Sequence, residues 1–247
     1  MRLDVFFGYQ QLSAAEVTGR IVAVIDVLRA STSIAVALAN GARAIVPFAS
    51  GEEAVERIKQ LDRSDARLAG EQKLRPIPGF DLGNSPTEFT AEAVGGKTIL
   101  MATTTGTAAI LAAQGARDIV VASFVNFSAV TAMLRAALRA DADVAIVCAG
   151  QERRFTLEDG GCAGRYVRAV GKQLPRLVRN DGAHACTLID RQYGEDTLQL
   201  LRDSSHGKAL AEAGFDNDLR VCAQIDSHPV VPVYRDRQIT RLGEYER

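Results

Sequence analysis

The sequence predicts a three-layer α/β/α fold around a largely parallel, mixed sheet. One pattern recurs at least four times: a short β-branched apolar run, then small or polar residues, then a segment with helical spacing. Such alternation requires crossovers that cover both faces of a parallel sheet with helices. With 247 residues, 47% of them hydrophobic, the chain can bury this core as one domain spanning residues 1–247.

The strands and helices are predicted in alternating order along the chain. The predicted strands are Ile21 to Asp26, Ile45 to Phe48, Lys97 to Ala102, Ile119 to Phe124 and Val144 to Ala149. The helices that follow them are Thr32 to Asn40, Glu52 to Leu61, Thr107 to Gln114, a segment after Asn126, and Glu158 to Val170. The segment after Asn126 has apolar residues spaced by three and four, so that one face of the helix buries.

Three regions depart from this alternation. Gly70 to Pro86 is rich in proline and glycine, which predicts a long ordered loop, and a loop of that length is more often functional than decorative. The last quarter, from about residue 175, is predicted to be irregular, and the polar segment Pro175 to Gly194 suits a subdomain junction. Beyond it, Leu219 to Gln224 fits a helix remnant or a strand, and Val230 to Tyr234 fits an edge strand.

Charge and composition exclude several functional classes. The 29 Lys and Arg residues balance 30 Asp and Glu residues, which is unlike a polyanion reader, so no nucleic-acid partner is expected. The longest apolar runs fall far below the roughly 20 residues of a membrane span, and no secretory signal is visible, so a cytoplasmic protein is expected. The four cysteines are too scattered for a disulfide framework and form no CxxC pair.

Polar residues gather where the predicted strands end, which is where ligands bind in open parallel sheets. The first strand delivers Asp26, and Arg29, Ser31 and Thr32 follow at the start of a helix. Because a carboxylate ending a buried strand loses hydration, either Arg29 or a metal ion is expected to face Asp26. The same segment suits phosphate binding, although helix capping and an internal ion pair of Arg29 would equally explain it.

A threonine-rich turn follows the predicted strand Lys97 to Ala102. It consists of Thr103, Thr104, Thr105, Gly106 and Thr107. Glycine permits close approach of the backbone to a ligand, and hydroxyls bond oxyanions or a metal-bound water. Strand propensity accounts for one of these threonines and helix capping for another. The remainder favour a role in binding.

The other strand exits and the predicted loop add an amide and four carboxylates. Asn126 follows one exit, and Glu158 with Asp159 begins the helix after another, where acidic residues also suit the helix dipole. Glu71 and Asp81 lie on the loop. Since like charges near an anion site need a divalent cation between them, and oxygen ligands favour Mg²⁺ over zinc, the sequence predicts a Mg²⁺ site.

Several standard site motifs are absent from the sequence. Gly96 to Thr98 imitates the end of a phosphate-binding P-loop, but the first glycine would fall at Ala91. No GxGxxG follows a predicted strand and no GxSxG elbow occurs. The three histidines are too far apart for a helical metal pair, and His206 is the best functional candidate because it lies in the polar stretch Ser204 to Lys208.

Five motifs together resemble the signatures of the 2-phosphosulfolactate phosphatase family, also called the ComB family. They are Asp26 to Thr32, Gly79 to Pro86, Thr103 to Thr107, Ser123 to Asn126 and Phe155 to Asp159. The resemblance spans about Asp4 to Pro232 and keeps the family's motif order. It implies Mg²⁺-dependent hydrolysis of 2-phosphosulfolactate to 3-sulfolactate and phosphate, a step towards coenzyme M.

The residue chemistry and the resemblance together nominate the site. Candidate catalytic residues are Asp26, Arg29 and Glu158, and candidate metal ligands are Asp26, Glu71, Asp81 and Asp159. Candidate phosphate- or substrate-binding residues are Ser31, Thr32, Asn84, Thr103, Thr104, Thr105, Gly106, Thr107, Asn126, Arg153 and Arg154. Arg153 and Arg154 are the preferred cations for the substrate's other anionic groups, ahead of Lys73, Arg75 and Lys208.

Two mechanistic routes fit these residues. Either a water attacks phosphorus in line, activated by the metal or a carboxylate, or Asp26 attacks and forms an acyl phosphate. Two positions depart from the family pattern: Gln72 stands where the family has arginine, and Thr105 stands where it often has asparagine. The substrate is therefore less firmly implied than the reaction.

Two other functions stay open from the sequence. One is a related Mg²⁺ phosphohydrolase of another small phosphorylated carboxylic acid, and the other is a non-catalytic binder of an anionic metabolite. The retained carboxylates disfavour the binder. The expected partner is a small anionic phosphorylated substrate, with no membrane partner, and a homodimer is the commonest state for enzymes of this size.

Overall fold

The computed structural model describes residues 1–172 and 174–243. The strands within them are β1 Arg2–Phe6, β2 Ile21–Ile25, β3 Ala44–Phe48, β4 Ala66–Gln72, β5 Arg75–Pro76, β6 Thr98–Ala102, β7 Asp118–Ala122, β8 Val144–Cys148, β9 Val178–Arg179, β10 Pro232–Arg235 and β11 Gln238–Arg241. The α-helices are α1 Ala14–Val17, α2 Ala30–Ala39, α3 Gly51–Ile58, α4 Ala91–Val94, α5 Gly106–Ala112, α6 Phe127–Arg139, α7 Leu157–Val170, α8 Asp181–Tyr193, α9 Thr197–Asp203, α10 Ser205–Glu212 and α11 Asp216–Cys222. Short 3₁₀ turns cover Tyr9–Gln11, Pro86–Glu88 and Phe124–Asn126.

The described strands form one mixed sheet in the order β5-β4-β6-β3-β11-β10-β7-β2-β8-β1-β9. Strands β4, β6 and β3 are mutually parallel, as are β7, β2, β8, β1 and β9. The antiparallel hairpin β10–β11 joins these two parallel groups through β7 and β3. The prediction of a mostly parallel, mixed sheet is confirmed.

Helices cover both faces of the sheet, and β2 shows how the sequence sets the layers. Because successive strand side chains point to opposite faces, Ile21 packs into one apolar cluster and Val22 into the other. The first cluster includes Tyr166 of α7, and the second includes Ile34 of α2. A strand buried on both faces reads as a continuous apolar run, which is why β2 is easy to predict.

The five strands and five helices predicted from the repeated pattern are all present, with no end displaced by more than three residues. Among the described strands, β1, β4, β5, β9 and β11 are not predicted by the sequence, and all of them pair within the sheet. The first residues of the predicted loop, Gly70 to Gln72, are the end of β4. The loop then contains β5 and the turn Pro86–Glu88.

The last quarter differs most from its prediction. It is not irregular, since α8 occupies most of Pro175 to Gly194 and three more helices follow. Residues 219–222 belong to α11 and 223–224 follow it, so the helical alternative is correct. The predicted edge strand is wrong, because β10 lies inside the sheet between β7 and β11. β10 lies in the interior of the sheet because the β10–β11 hairpin inserts between β7 and β3. Sequence periodicity does not reveal this pairing.

Two further expectations concern cysteines and membranes. All four cysteines, Cys148, Cys162, Cys186 and Cys222, are buried free thiols. Over residues 1–172 and 174–243, no helix has the length and apolar character needed to cross a membrane.

Candidate active site

A cavity of about 460 Å³ lies at the carboxyl ends of the parallel strands. The sequence-nominated residues that line it are Asp26, Arg29, Glu71, Lys73, Asn84, Thr103, Thr104 and Thr105, and it is also lined by Gln72, Gln151, Glu152 and His206. Residues that follow β2, β4, β6 and β8 therefore meet at one place, together with a histidine from α10.

Asp26 is buried directly after β2. Its Oδ1 accepts a hydrogen bond from the Ala30 amide (3.2 Å), and its Oδ2 accepts one from the Thr105 hydroxyl (3.3 Å). Ser31 Oγ accepts from the Asp26 amide (2.9 Å), which places Ser31 behind the carboxylate. The sequence predicted that either Arg29 or a metal ion faces Asp26. Arg29 pairs with Asp218 and makes no ion pair with Asp26.

Burial raises the pKa of Asp26 to about 6. The charge of Glu71 adds to this rise, whereas His206 and the hydrogen bonds from Ala30 and Thr105 oppose it. Because burial disfavours the charged form of Asp26, a nearby cation would stabilise its carboxylate, and without one the group can exchange a proton near neutral pH.

Gly106 allows β2 and the threonine turn to approach. A Cβ atom there would lie 2.4 Å from the Ala30 Cβ and 2.7 Å from Asp26 Oδ2, which leaves no room for any other residue. In the sheet order β3, β11, β10 and β7 separate β6 from β2, yet Thr105 bonds Asp26. The sequence predicts that Gly106 contacts a ligand. In the structure Gly106 instead allows the backbone of the threonine turn to pack against Ala30 and Asp26.

Glu71 holds the ends of β4 and β6 together. Its Oε1 accepts from the Thr104 amide (2.8 Å) and its Oε2 from the Leu74 amide (3.0 Å). The second bond shapes the tight turn between β4 and β5, in which Lys73 and Leu74 have positive φ. Lys73 thereby lies at the cavity.

Arg29 is held by a residue that the sequence did not suggest. Its Nη1 lies 2.7 Å from Oδ2 of Asp218 on α11, and both side chains are buried. Asp218 Oδ1 accepts from the Ser85 hydroxyl (2.6 Å), and the Phe215 ring lies 4.5 Å beneath the guanidinium. Arg29 Nη2 donates to the Leu74 carbonyl (3.1 Å), so this cation is fixed at the cavity from several sides.

Glu158 and Asp159 have different surroundings from those predicted. Asp159 does not line the cavity, because its two oxygens accept the Val27 amide (2.9 Å) and the Gly150 amide (3.0 Å). Burial and the charges of Glu158 and Asp26 raise its pKa well above the usual range. Asp159 therefore joins the ends of β2 and β8, and its nomination as a metal ligand is not supported by its position.

Glu158 does not line the cavity that holds Asp26, but it contacts His206, which does. Glu158 Oε1 lies 3.1 Å from His206 Nδ1. Glu158 lines a neighbouring cavity of about 340 Å³ that shares Gln151, Glu152 and His206 with the first.

The remaining hydroxyls and amides divide between the cavity and the scaffold. Thr103 lines the cavity, while Thr107 Oγ1 donates to the Thr103 carbonyl (3.1 Å) and is fully buried. Thr32 Oγ1 donates to the Val27 carbonyl (2.9 Å). Asn126 caps the turn after β7 by accepting from the Ser123 amide (2.9 Å). Thr32, Thr107 and Asn126 thus have structural contacts and do not line the cavity.

Three nominated charged residues lie elsewhere. Asp81 is bound by the Arg63 guanidinium (2.8 Å) and the Leu68 amide (2.7 Å), so it is not near Asp26 and is corrected as a metal candidate. Arg154 lines the neighbouring cavity, and Arg153 lines neither of the two. Both lie in a tight turn that is closed by backbone hydrogen bonds between Gln151 and Arg154.

The described oxygen donors at the cavity suit Mg²⁺, although they do not form a closed cluster. Among the described residues no three His, Cys, Asp or Glu side chains form a ready metal cluster. Mg²⁺, however, is commonly held by one or two carboxylates with water and substrate phosphate. Asp26 and Glu71 line the same cavity, and so does Asn84, whose buried Oδ1 has no hydrogen-bond partner in the described part of the chain. These hard oxygen donors fit the ion.

The comparisons with known proteins agree with this geometry. A family model described as 2-phosphosulpholactate phosphatase matches residues 7–237. The chain belongs to this family. It is 41% identical over 229 residues to a probable 2-phosphosulfolactate phosphatase of Symbiobacterium thermophilum, covering 93% of this chain and 97% of that protein. Proteins of the same description from Clostridium acetobutylicum (34%, 97% and 100% covered) and Thermotoga maritima (39%, 86% and 88% covered) are also similar.

Within this 2-phosphosulfolactate phosphatase fold, the sequence missed residues that act through tertiary contacts. Asp218, Gln151 and Glu152 carry no local signal, whereas the polar stretch Ser204 to Lys208 did single out His206, which lines the cavity. Gln72 and Thr105, the two departures from the family pattern, both line the cavity. The differences therefore fall where they can alter recognition of the substrate.

The burial of Asp26 predicts a pH-dependent cost to stability. Because the folded pKa is raised, the metal-free protein loses stability as pH increases from the unfolded value through about 6. The stability of Asp26→Asn relative to the wild type should rise by about 2 kcal/mol between pH 4 and pH 7. Urea unfolding in EDTA measures this difference. Asp65→Asn, at an exposed site, is the matched control, and a pH-independent difference for Asp26→Asn would contradict the assignment.

Proposed function

We propose that this chain hydrolyses 2-phosphosulfolactate to 3-sulfolactate and phosphate with the help of Mg²⁺, the reaction that in this family leads towards coenzyme M. The observation that carries the proposal is that Asp26, Glu71 and the threonine turn meet at one cavity. The family membership and the names of the relatives support the same phosphoric monoester hydrolysis.

Asp26 and Glu71 would hold the ion, with Asn84 Oδ1 as a third oxygen at the cavity. When bound, Mg²⁺ neutralises charge on the phosphoryl oxygens and lowers the pKa of a coordinated water. The hydrogen bonds from Ala30, Thr104 and Leu74 fix both carboxylates in place before any ligand enters. Preorganisation of this kind avoids reorganisation during the reaction.

The chain's own groups orient the substrate. Thr104 and Arg29 line the cavity, and their hydroxyl and guanidinium groups would donate to phosphoryl oxygens. Lys73 and Gln72, on the turn after β4, supply donors for the sulfonate and carboxylate groups. In this arrangement Lys73 replaces Arg153 and Arg154 as the preferred cation.

A second candidate substrate class has a specific observation in its favour. Because Gln72 stands where the family has arginine, the cavity has one cation fewer for a sulfonate. Another small phosphorylated carboxylic acid would need fewer donors. A panel of phosphoesters with and without a sulfonate separates the two classes by their kcat/KM values.

Phosphate release tests the proposal directly. The wild type should release phosphate from 2-phosphosulfolactate in Mg²⁺, lose this activity in EDTA and regain it when Mg²⁺ is added back. Asp26→Asn should lower kcat/KM at least about 100-fold, because the buried carboxylate is removed. Asp65→Asn serves as the control. Saturable binding of 2-phosphosulfolactate without turnover in excess Mg²⁺ would instead favour a non-catalytic binder.

The role of Lys73 predicts a change in KM. Lys73→Met should raise KM for 2-phosphosulfolactate roughly three- to tenfold, since one charge-assisted contact is lost, with a smaller effect on a phosphoester that lacks the sulfonate. Lys208→Met is the matched control, because Lys208 is exposed and does not line the cavity. An equal rise for both esters would remove the assignment.

The stereochemical course at phosphorus separates the two routes of attack. Both Asp26 oxygens already accept hydrogen bonds, which favours attack by water over attack by Asp26. We therefore expect inversion with an isotopically chiral phosphate ester. Retention would show two displacements and assign the first to an enzyme nucleophile.

A further inference from the structure

His206 joins the cavity that holds Asp26 to the buried Glu158. It lies in the first turn of α10, whose start is fixed by Ser204 Oγ accepting from the Gly207 amide (2.9 Å). The ring lines both neighbouring cavities and its Nδ1 lies 3.1 Å from Glu158 Oε1. Glu158 is 1% exposed.

The carboxylate of Glu158 determines which ring nitrogen is available. In the described part of the chain Glu158 Oε2 has no hydrogen-bond partner, so the contact of Glu158 with His206 is the one that anchors this side chain. A carboxylate at Nδ1 holds an N–H at that nitrogen and fixes the orientation of the ring. Nε2 is then the nitrogen left to meet a molecule in the cavity.

His206 also lies close enough to act on the same substrate as Asp26. Asp26 and His206 line the same cavity of about 460 Å³, so a molecule bound there contacts both side chains. The residues that would hold the metal and phosphate come from β2, β4 and β6, whereas His206 comes from the C-terminal helices. The ring is thus separate from the phosphate-binding elements.

We propose that His206 is the general acid that protonates the leaving oxygen of the substrate, and that Glu158 is its positioning residue. This inference rests on the proposed phosphatase function and adds a residue to it. The leaving group of a secondary alkyl phosphate is an alkoxide of high pKa, for which a proton donor contributes most.

In the proposed step, proton transfer from His206 accompanies cleavage of the bond between phosphorus and the ester oxygen. As the nucleophile forms its bond to phosphorus, the bond from phosphorus to the ester oxygen breaks and that oxygen takes the electron pair. The proton on His206 Nε2 transfers to the oxygen, which gives the neutral alcohol and a neutral imidazole. The Nδ1 proton stays directed at Glu158, and solvent returns a proton to Nε2 after product leaves.

A substrate whose leaving group departs without protonation tests whether His206 acts as the general acid. The first probe is 2-phosphosulfolactate, and the second is its analogue in which sulfur replaces the bridging oxygen, so that a thiolate leaves. His206→Asn should lower kcat on the oxygen ester at least about 100-fold and on the sulfur analogue less than about fivefold. Retained cleavage of the analogue also shows that the variant is folded.

The controls separate this role from others. Glu158→Ala should give the same preferential loss on the oxygen ester, and Glu158→Gln, which can still accept from Nδ1, should recover part of it. His184→Asn, on the exposed side of α8, should leave both rates unchanged. Equal losses on the two esters in His206→Asn would overturn the inference and indicate a base or a structural role. Failure of the wild type to release phosphate from either ester would instead overturn the proposed function.

Discussion

The site depends on buried carboxylates that accept backbone N–H groups from neighbouring strand ends. Asp159 joins the ends of β2 and β8, and Glu71 joins those of β4 and β6. Asp26, together with Gly106, closes the remaining gap between β2 and β6. The bonds of Asp159 and Glu71 satisfy amides just beyond the strand ends, and Asp26 satisfies the first amide of α2 and the Thr105 hydroxyl. The acids that could serve chemistry are therefore also part of the scaffold, which makes their positions rigid.

The C-terminal helices complete the site from the other side. Asp218 of α11 neutralises Arg29, and Glu158 of α7 holds His206 of α10. Removing Asp218 would leave the buried guanidinium of Arg29 without its ion-pair partner, which costs more than the pair contributes. Removing Glu158 would take away the carboxylate that contacts the buried His206 ring. These pairs link the helices that follow residue 180 to the parallel core, and they explain why that quarter of the chain is ordered.

Sequence reasoning predicted the repeated strand and helix pattern because each unit carries its own local signal. Strands buried on both faces read as apolar runs, and the polar residues after them mark the rim, so Asp26 and the threonine turn were found. Partners that meet only in the folded chain were not: Asp218 lies 189 positions from Arg29. Asp81 was misassigned because nothing local shows that Arg63 binds it. Helix α8 was missed because only a few of its residues are buried, which weakens its apolar stripe.

The charge balance of the cavity bears on its need for a metal ion. Among the described lining residues, the guanidinium of Arg29 is already matched by the carboxylate of Asp218, and the His206 ring contacts Glu158. Asp26, Glu71 and Glu152 then face the cavity against Lys73. A ligand that carries phosphate, sulfonate and carboxylate groups would meet a surplus of negative charge. A divalent cation held by Asp26 and Glu71 would offset the cost of burying Asp26 in its charged form and would attract the phosphate.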